Sequence, residues 1–357
     1  MPRAICNSLR VLMVLGSDGT IQTNVWARRQ IESLEAIGVV VETYFFEDRR
    51  SWRGLLLGGC ELRRRVREFN PDIVHVHYGA AQALVAVLFS RKPVIITFCG
   101  SDLLGNYSSS GKKTWSGLLS ICLSQLAALG SSRCMAVSKE LRNSLWLNWS
   151  RNKCEVIPAG VDLSLFRPIP QSQARAVLGW SHNDPVVLFM FREGTWVKDP
   201  DLARAAYNEA RKSLSSLRMI VLGEEDPDRI PLFYNAADVF LLTSRHEGSN
   251  NSVKEALACN LPVVATCCGD TEERLQGVRL CHVSKRDSRE LGQHLIEVVT
   301  SRERSNGNEY LHDLTLECVA QRIKACYERA LSTHRDLPLE QASGDPIQTS
   351  SSNKGKR

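Results

Sequence analysis

Short apolar runs alternate along the chain with longer segments in which apolar residues recur at helical spacing. The first run covers residues 10–15. In the segment that follows, at about residues 23–37, Ala27, Ile31 and Leu34 fall on one helical face. A run without polar positions is typical of a strand buried on both faces of a parallel sheet. The alternation therefore predicts an α/β protein built from repeated strand–helix units.

The same patterns predict the other elements. Strands are predicted at residues 10–15, 39–46, 73–78, 93–98, 133–138, 154–158, 185–191, 218–222, 236–243 and 261–266, with residues 267–275 and 277–283 completing the last sheet. Helices are predicted at residues 23–37, 61–69, 80–89, 111–129, 199–212, 291–299 and 317–331. The polar residues from 332 onward show no apolar period and are expected to be disordered.

The predicted helix at residues 111–129 allows two interpretations. It begins with Lys112, Lys113 and Trp115 and continues with many apolar residues. Such a helix can lie on a membrane surface, or it can be an ordinary helix packed in a core.

Length and charge restrict the class of protein. The chain has 357 residues and 43% of them are hydrophobic, which is enough for two domains with two cores. Residues 1–170 hold 21 Lys and Arg against 13 Asp and Glu, a net charge of +8, whereas the remainder holds 24 against 26. A basic half favours an anionic partner such as a membrane surface or a phosphorylated lipid. Nucleic acid is the least favoured partner, because no helix-turn-helix, zinc-finger or RNP-type motif accompanies the charge.

The cysteines predict neither a disulfide framework nor a zinc site. The 12 cysteines are scattered, and no Cys-x2-Cys pair occurs. Cys134, Cys259 and Cys281 lie in apolar segments, where cysteine acts as a small hydrophobic residue. We therefore expect a reduced, cytoplasmic protein. We also expect no signal peptide and no transmembrane helix, since no apolar run approaches about 18 residues.

The most informative stretch is residues 245–266, which predicts a loop, a helix and a buried strand. Glu247 and Glu255 stand on either side of the loop-to-helix junction. The residues that open the helix between them are small or polar: Gly248, Ser249, Asn250, Asn251 and Ser252. The unpaired N–H groups of a first helical turn bind anions, and a nearby carboxylate can accept hydrogen bonds from ribose hydroxyls. Taken singly, the same residues are also typical of a helix cap and a solvated charge.

Two further loops follow strands, at the edge where open parallel sheets bind ligands. Gly19 and Thr20 follow the first strand, in a turn that lacks the full G-x-G-x-x-G pattern and therefore disfavours a dehydrogenase. Arg192 and Lys198 follow the strand at residues 185–191. A guanidinium can hold a diphosphate through two hydrogen bonds, and an ammonium can add a point charge. The alternatives are a plain turn and a plain surface pair.

A third loop carries polar residues after the strand at residues 93–98. Cys99, Gly100 and Asp102 form its candidate ligand contacts. His75 and His77 alternate along a neighbouring strand, where a histidine is more often structural than catalytic.

The stretch RHEGSNNSVKEALACNLPVVAT resembles the Glu-x7-Glu motif of the retaining family-4 glycosyltransferases, enzymes of the GT-B architecture. In that family the second glutamate binds the nucleotide ribose and the first contacts the transferred sugar. The resemblance assigns these roles to Glu255 and Glu247. It also assigns Arg192 and Lys198 to holding the diphosphate.

Other segments extend the resemblance and show where the chain departs from it. Gly19 and Thr20 stand where the family has its diphosphate-facing glycine loop. The segment CGSDLLG resembles the family's T-x-H-G-x-D turn, but Cys99 replaces the histidine that commonly helps to position the sugar. This replacement implies altered sugar handling or weaker catalysis. The segment VIPAGVD resembles the interdomain V-I-P-N-G-V-D passage, and the second domain is shorter than usual by about one strand–helix unit.

The resemblance implies an α/β GT-B fold, with two Rossmann-like doubly wound parallel-sheet domains facing across a cleft. The expected parts are an acceptor-side domain at residues 1–167 and a nucleotide-sugar-binding domain at residues 168–315. A helix at residues 316–331 is expected to cross back to the first domain, and a tail occupies residues 332–357.

The implied function is that of a retaining hexosyltransferase in polysaccharide biosynthesis. It would move a hexose-type sugar from a nucleotide-diphosphate donor to a glycan or lipid-linked acceptor, with no metal or other cofactor required. A peripheral contact with the inner face of the membrane is expected through the basic N-terminal domain. A sugar-nucleotide 2-epimerase and a non-catalytic GT-B subunit remain as alternatives.

Overall fold

The computed structural model describes residues 8–16, 25–48, 51–108 and 112–335. The described chain forms two parallel β-sheets, each covered on both faces by helices. The first sheet contains β1 (Arg10–Gly16), β2 (Val40–Phe46), β3 (Ile73–His77), β4 (Val94–Phe98), β5 (Arg133–Ala136) and β6 (Cys154–Val156). The second contains β7 (Val186–Met190), β8 (Arg218–Leu222), β9 (Val239–Leu242), β10 (Val263–Thr266) and β11 (His282–Ser284). The predicted doubly wound architecture is confirmed.

The helices connect successive strands. Those of the first domain are α1 (Val25–Ala36), α2 (Trp52–Phe69), α3 (Ala80–Phe89), α4 (Ser101–Leu104), α5 (Trp115–Gly130), α6 (Lys139–Asn143) and α7 (Asn148–Asn152). Those that follow are α8 (Gln171–Leu178), α9 (Pro200–Arg211), α10 (Ile230–Ala236), α11 (Asn251–Ala258), α12 (Thr271–Leu275), α13 (Ser288–Ser301) and α14 (Leu316–Arg335).

The strand orders locate the ligand-binding edge of each sheet. The first sheet runs β2-β1-β3-β4-β5-β6, and the second runs β8-β7-β9-β10-β11. In each sheet the order reverses beside the first strand, between β1 and β3 and between β7 and β9. Parallel sheets bind ligands in the crevice that opens at the carboxyl ends of such strands. The loops after β7 and β9 carry Lys198 and Glu247 and therefore meet at one crevice.

The chain passes twice between the domains, and the two passages lie side by side. The Val161 N–H donates to the Leu314 carbonyl at 2.8 Å, and Val161 pairs with Thr315 in a parallel bridge. Helix α14 then packs on the first sheet beside α1. Its core-facing residues are Val319, Ala320, Ile323, Cys326, Tyr327 and Ala330.

The structure corrects two predictions about elements. Residues 267–275 form a loop and α12 rather than a strand, because buried Thr271 holds a turn there by bonding the Cys268 N–H and the Cys268 and Thr266 carbonyls. Helix α14 continues through residues 332–335, which were expected to be disordered; the rest of the tail lies outside the described residues. Ile157 packs with the core of the first sheet and Val161 with that of the second, and the domain boundary expected at residue 167 stays a prediction.

Helix α5 has its large apolar residues on the outside. Its buried positions include Gly117, Ser124, Ala127 and Ala128, all small, which allow close packing against α3. Its exposed positions include Trp115 and several leucines. Within the described ranges, none of the helices has both the length and the apolar composition needed to cross a bilayer.

Candidate active site

A partly buried ion pair occupies the crevice between β7 and β9. The Lys198 Nζ lies 2.7 Å from Glu247 Oε1, and the Ser244 hydroxyl donates to the same oxygen at 2.7 Å. Lys198 ends a short 3₁₀ turn, and Glu247 stands in the loop after β9. Both side chains are largely buried, with 22% and 17% of their surface exposed. The structure thus brings together two residues predicted for the site, 49 positions apart in the chain.

The N-terminus of α11 faces the crevice with polar groups that lack partners. Asn250 caps the helix, since its side chain accepts from the Val253 N–H at 3.3 Å. Its Nδ2 atom and the Asn251 Oδ1 atom are buried and have no hydrogen-bond partner among the described residues. Buried polar groups without partners are costly and commonly mark a place where a ligand or water supplies the partner.

Glycine is required at position 248 because the two domains touch there. A Cβ atom at Gly248 would lie 1.9 Å from the Cys99 carbonyl oxygen, and one at Gly100 would lie 3.4 Å from the Gly248 N atom. A Cβ at Gly269, whose φ is +59°, would lie 2.8 Å from the Gly248 carbonyl. The predicted loop at Cys99 therefore packs directly against the start of the Glu-pair motif.

The Cys99 turn is held by Asp102. The carboxylate of Asp102 is buried and accepts from the backbone N–H groups of Gly79 at 2.9 Å, Gly100 at 2.8 Å and Cys99 at 3.1 Å. Burial raises the pKa of Asp102, and these N–H donors oppose that rise. Burial also raises the pKa of the Cys99 thiol, so the thiol stays protonated. Asp102 therefore stabilises the turn through these hydrogen bonds. The protonated Cys99 thiol cannot act as a base.

A cavity of about 200 Å³ adjoins this contact. Cys99 and Thr97 line it from the first domain, and Ser249 and Asn251 line it from the second. Trp26, from α1, forms another wall. The cavity therefore lies between the domains, next to the start of α11.

Glu255 lies in a second, smaller interdomain pocket. The Tyr234 hydroxyl donates to its Oε2 atom at 3.1 Å, and Arg29 of the first domain lines the same pocket. Burial raises the pKa of Glu255 to about 7, while Tyr234, Arg29 and Lys254 oppose the rise. Above neutral pH this group is a carboxylate that can accept hydrogen bonds from ribose hydroxyls, and it becomes a weaker acceptor as it is protonated.

We expect Glu255→Gln to stabilise the free protein above pH 7. The pKa of Glu255 is about 7 in the folded state and 4.5 in its ordinary state, so the folded protein binds more protons between these values. Stability from this group is therefore present below pH 4.5 and is lost as the pH rises to 7. Glutamine carries no charge and so avoids this loss. The free energy of unfolding measured with urea at pH 8 should therefore be about 1–2 kcal/mol higher for the variant than for the wild type, allowing for partial solvent screening.

Glu317→Gln, at an exposed site on α14, is the matched control. It should change stability little at either pH. Equal stability of Glu255→Gln and the wild type at both pH 5 and pH 8 would contradict the assigned pKa.

Lys254 is a buried cation that the sequence did not reveal. It is 1% exposed, and its Nζ donates to the Ala159 carbonyl at 2.7 Å and to the Ser249 hydroxyl at 3.2 Å. Ser249 in turn donates to Asp270 at 2.8 Å. Burial lowers the pKa of Lys254 to about 8. Lys254 therefore joins the start of α11 to the interdomain passage, and the Ser249 hydroxyl is already committed to this network.

The other residues predicted for the site do not share one environment. Arg192 is exposed in the loop after β7, and no described residue forms an ion pair with it. Ser252 lies beside Tyr234. Gly19 and Thr20 lie outside the described residues.

His75 and His77 are buried, as their strand predicted. His75 bonds Tyr327 at 2.6 Å and Thr97 at 2.7 Å, whereas the nitrogens of His77 have no partner among the described residues.

Sequence reasoning missed the contribution of α1. Trp26, Arg29, Gln30 and Ser33 line the Glu255 pocket. Their spacing places them on one helical face beside the apolar face, and this periodicity was the signal that could have identified them.

Two parallel-sheet domains with facing strand ends define the GT-B class of fold, and solved structures of glycosyltransferases share it. Sucrose-phosphate synthase from Thermosynechococcus elongatus has a TM-score of 0.74 at 16% identity, covering 91% of this chain and 100% of that chain. The Anabaena protein HepE, in complex with UDP and glucose, has a TM-score of 0.68 at 18% identity, covering 90% and 100%. At such identities the likeness establishes the fold.

Family models match both domains. Residues 14–165 match Glycosyltransferase Family 4, and residues 193–301 match Glycosyl transferases group 1. A D-inositol 3-phosphate glycosyltransferase from Segniliparus rotundus is 31% identical over 146 residues, which cover 33% of this chain and 32% of that protein. The match thus spans about a third of that relative's length. The chain belongs to the glycosyltransferases of the family 4 and group 1 type.

Proposed function

We propose that this glycosyltransferase is a retaining enzyme that moves a hexose-type sugar from a nucleotide-diphosphate donor to a glycan or lipid-linked acceptor. The contact of Gly248 with Cys99 carries this proposal. It sets the start of the Glu-pair motif against the sheet edge of the other domain, with a cavity beside it. A donor in that cleft can reach both the Lys198–Glu247 pair and the start of α11.

In the proposed reaction, the bond between the anomeric carbon and the diphosphate oxygen breaks, and its electron pair stays on the diphosphate. Lys198, Arg192 and the N–H groups at the start of α11 stabilise that charge. Glu247 orients the sugar hydroxyls, and Glu255 accepts from the ribose. The acceptor oxygen bonds the anomeric carbon on the face that the diphosphate leaves, and its proton passes to the departing phosphate. Because these protein groups supply the positive charge, the proposal requires no metal.

HepE supports a uridine nucleotide as the first donor to test, since that neighbour is described in complex with UDP and glucose. Calorimetry with UDP, GDP and ADP tests donor binding, and incubation of nucleotide sugars with lipid-linked acceptors tests transfer. Proton NMR of the product should show the anomeric configuration of the donor.

The alternatives predict different results. An epimerised nucleotide sugar formed without acceptor would indicate the 2-epimerase. Failure to bind any nucleoside diphosphate would indicate the non-catalytic subunit and would overturn the proposal.

We further propose that the first domain contacts an anionic membrane surface, where a lipid-linked acceptor in polysaccharide assembly would lie. Trp115 on α5 is 88% exposed, and Trp149 on α7 is 70% exposed. The two helices are neighbours, because Gln125 of α5 bonds the segment before α7 at the Trp146 N–H. Lys113 is exposed beside Trp115. Apolar side chains beside cations are typical of peripheral binding to anionic lipids.

We expect the double variant Trp115→Ser/Trp149→Ser to lose most co-sedimentation with phosphatidylglycerol-containing vesicles. Val177→Ser, on α8, is the control, because Val177 is 61% exposed but belongs to the second domain. Equal sedimentation of the wild type and the double variant would contradict the membrane contact.

A further inference from the structure

The outer edge of the second sheet carries a cluster of two histidines and a glutamate. His282 belongs to the edge strand β11, and His294 and Glu297 lie three positions apart on α13. Residues with this spacing share one helical face. The His282 Nε2 atom lies 3.7 Å from Glu297 Oε1, and the His294 Nδ1 atom lies 3.4 Å from Glu297 Oε2. One potential ligand atom from each residue lies within 4.8 Å of the other two.

These distances are close to those of a metal site. Zinc binds histidine and carboxylate at about 2.0–2.2 Å in tetrahedral geometry, which places its ligand atoms roughly 3.3–3.5 Å apart. The two imidazole rings are stacked, with centroids 4.2 Å apart and planes inclined by 16°. The three side chains are therefore already close to the spacing that a bound metal ion requires.

A second observation favours a ligand at this place. The His282 Nε2 atom is buried and has no hydrogen-bond partner among the described residues. A surface histidine–glutamate pair would not need to bury that nitrogen, whereas a bound cation would supply its missing partner. The cluster remains accessible, since the side chains of His294 and Glu297 are 26% and 57% exposed.

We propose that His282, His294 and Glu297 bind a borderline transition-metal ion of the Zn²⁺ class, with water in the remaining coordination position. Two imidazoles and one carboxylate suit Zn²⁺, Co²⁺ or Ni²⁺, whereas Mg²⁺ prefers oxygen ligands. The site is outside the proposed donor cleft and takes no part in the proposed transfer.

The bound ion would link the edge strand β11 to α13, the helix that covers it. The Ser284 carbonyl of β11 accepts from the Cys267 N–H at 3.2 Å, and the loop that begins there brings Gly269 against the Glu247 and Gly248 backbone. Fixing β11 to α13 therefore supports the loop behind the Glu-pair motif. A ligand that binds only the folded state raises its stability, so Zn²⁺ should raise the melting temperature.

Titration calorimetry of the full chain with Zn²⁺ tests the proposal, with Mg²⁺ as the hard-cation comparison. We expect one Zn²⁺ site that is weakened about tenfold or more by His294→Ala and by Glu297→Gln. His312→Ala removes an exposed histidine elsewhere and is the matched control. A Co²⁺ complex should absorb in the visible range without the near-ultraviolet band of a thiolate ligand, which separates this site from the exposed cysteines.

Three results would overturn the proposal: no stoichiometric Zn²⁺ site in the wild type, unchanged affinity in both variants, or a thiolate band in the Co²⁺ complex. Glu297→Gln lies at an exposed position and should fold normally, so its result stays interpretable if His294→Ala is unstable.

Discussion

Replacing Arg192 with alanine is expected to lower the turnover number by about 10²- to 10³-fold, the usual effect of removing one donor to a developing negative charge. The stability of the protein should not change, because Arg192 is exposed and pairs with no described residue. Steady-state kinetics and thermal unfolding of the same preparation measure both quantities. Arg204→Ala removes another exposed arginine of the same domain and should leave turnover unchanged.

Binding of a nucleoside diphosphate and of a nucleoside can be compared to test which part of the donor Arg192 contacts. If Arg192 holds the diphosphate, Arg192→Ala should bind a nucleoside diphosphate more weakly and a nucleoside as before. Unchanged turnover would show that the diphosphate is held by other groups. A parallel loss of melting temperature would show that the arginine stabilises the loop after β7.

Glu247→Gln should produce a comparable fall in turnover, of about 10²- to 10³-fold. The amide can still bond a sugar hydroxyl, but it no longer neutralises Lys198, whose Nζ lies 2.7 Å away in a largely buried position. Glu193→Gln, at an exposed position in the loop after β7, is the control.

The coupling of this pair is itself measurable. Because Glu247 and Lys198 share one ion pair, the combined variant Lys198→Met/Glu247→Gln should lose less activity than the product of the two single losses. Strictly multiplicative losses would show that the two side chains act independently in the reaction.

The sequence predicted the two sheets because their strands are continuous apolar runs. It also predicted that Lys198 and Glu247 share a site, through the motifs that carry them. It could not predict their 2.7 Å contact, since that distance depends on the strand order that places β7 beside β9. The burial of Lys254 was likewise not predicted, because it depends on the interdomain passage, where the Ala159 carbonyl, 95 positions away, accepts from the Lys254 Nζ atom.

Helix α5 shows what the hydrophobic pattern of the sequence could not predict. Its apolar residues allowed either a core or a surface helix, and hydrophobicity alone could not decide between them. The deciding feature is size, since Gly117, Ala127 and Ala128 permit close packing while the larger residues remain outside. A stripe of small residues at helical spacing was therefore the informative signal.

The paired passages between the domains determine how the molecule can move. The two covalent connections are joined at Val161 and Leu314 by a 2.8 Å hydrogen bond, so we expect them to act as one broad hinge rather than as two independent linkers. We expect such a hinge to permit opening and closing about a single axis while resisting twist and lateral sliding. Each closure would then return Gly248 to the same place against Cys99, and the groups proposed to bind the donor would return to the same positions in every cycle.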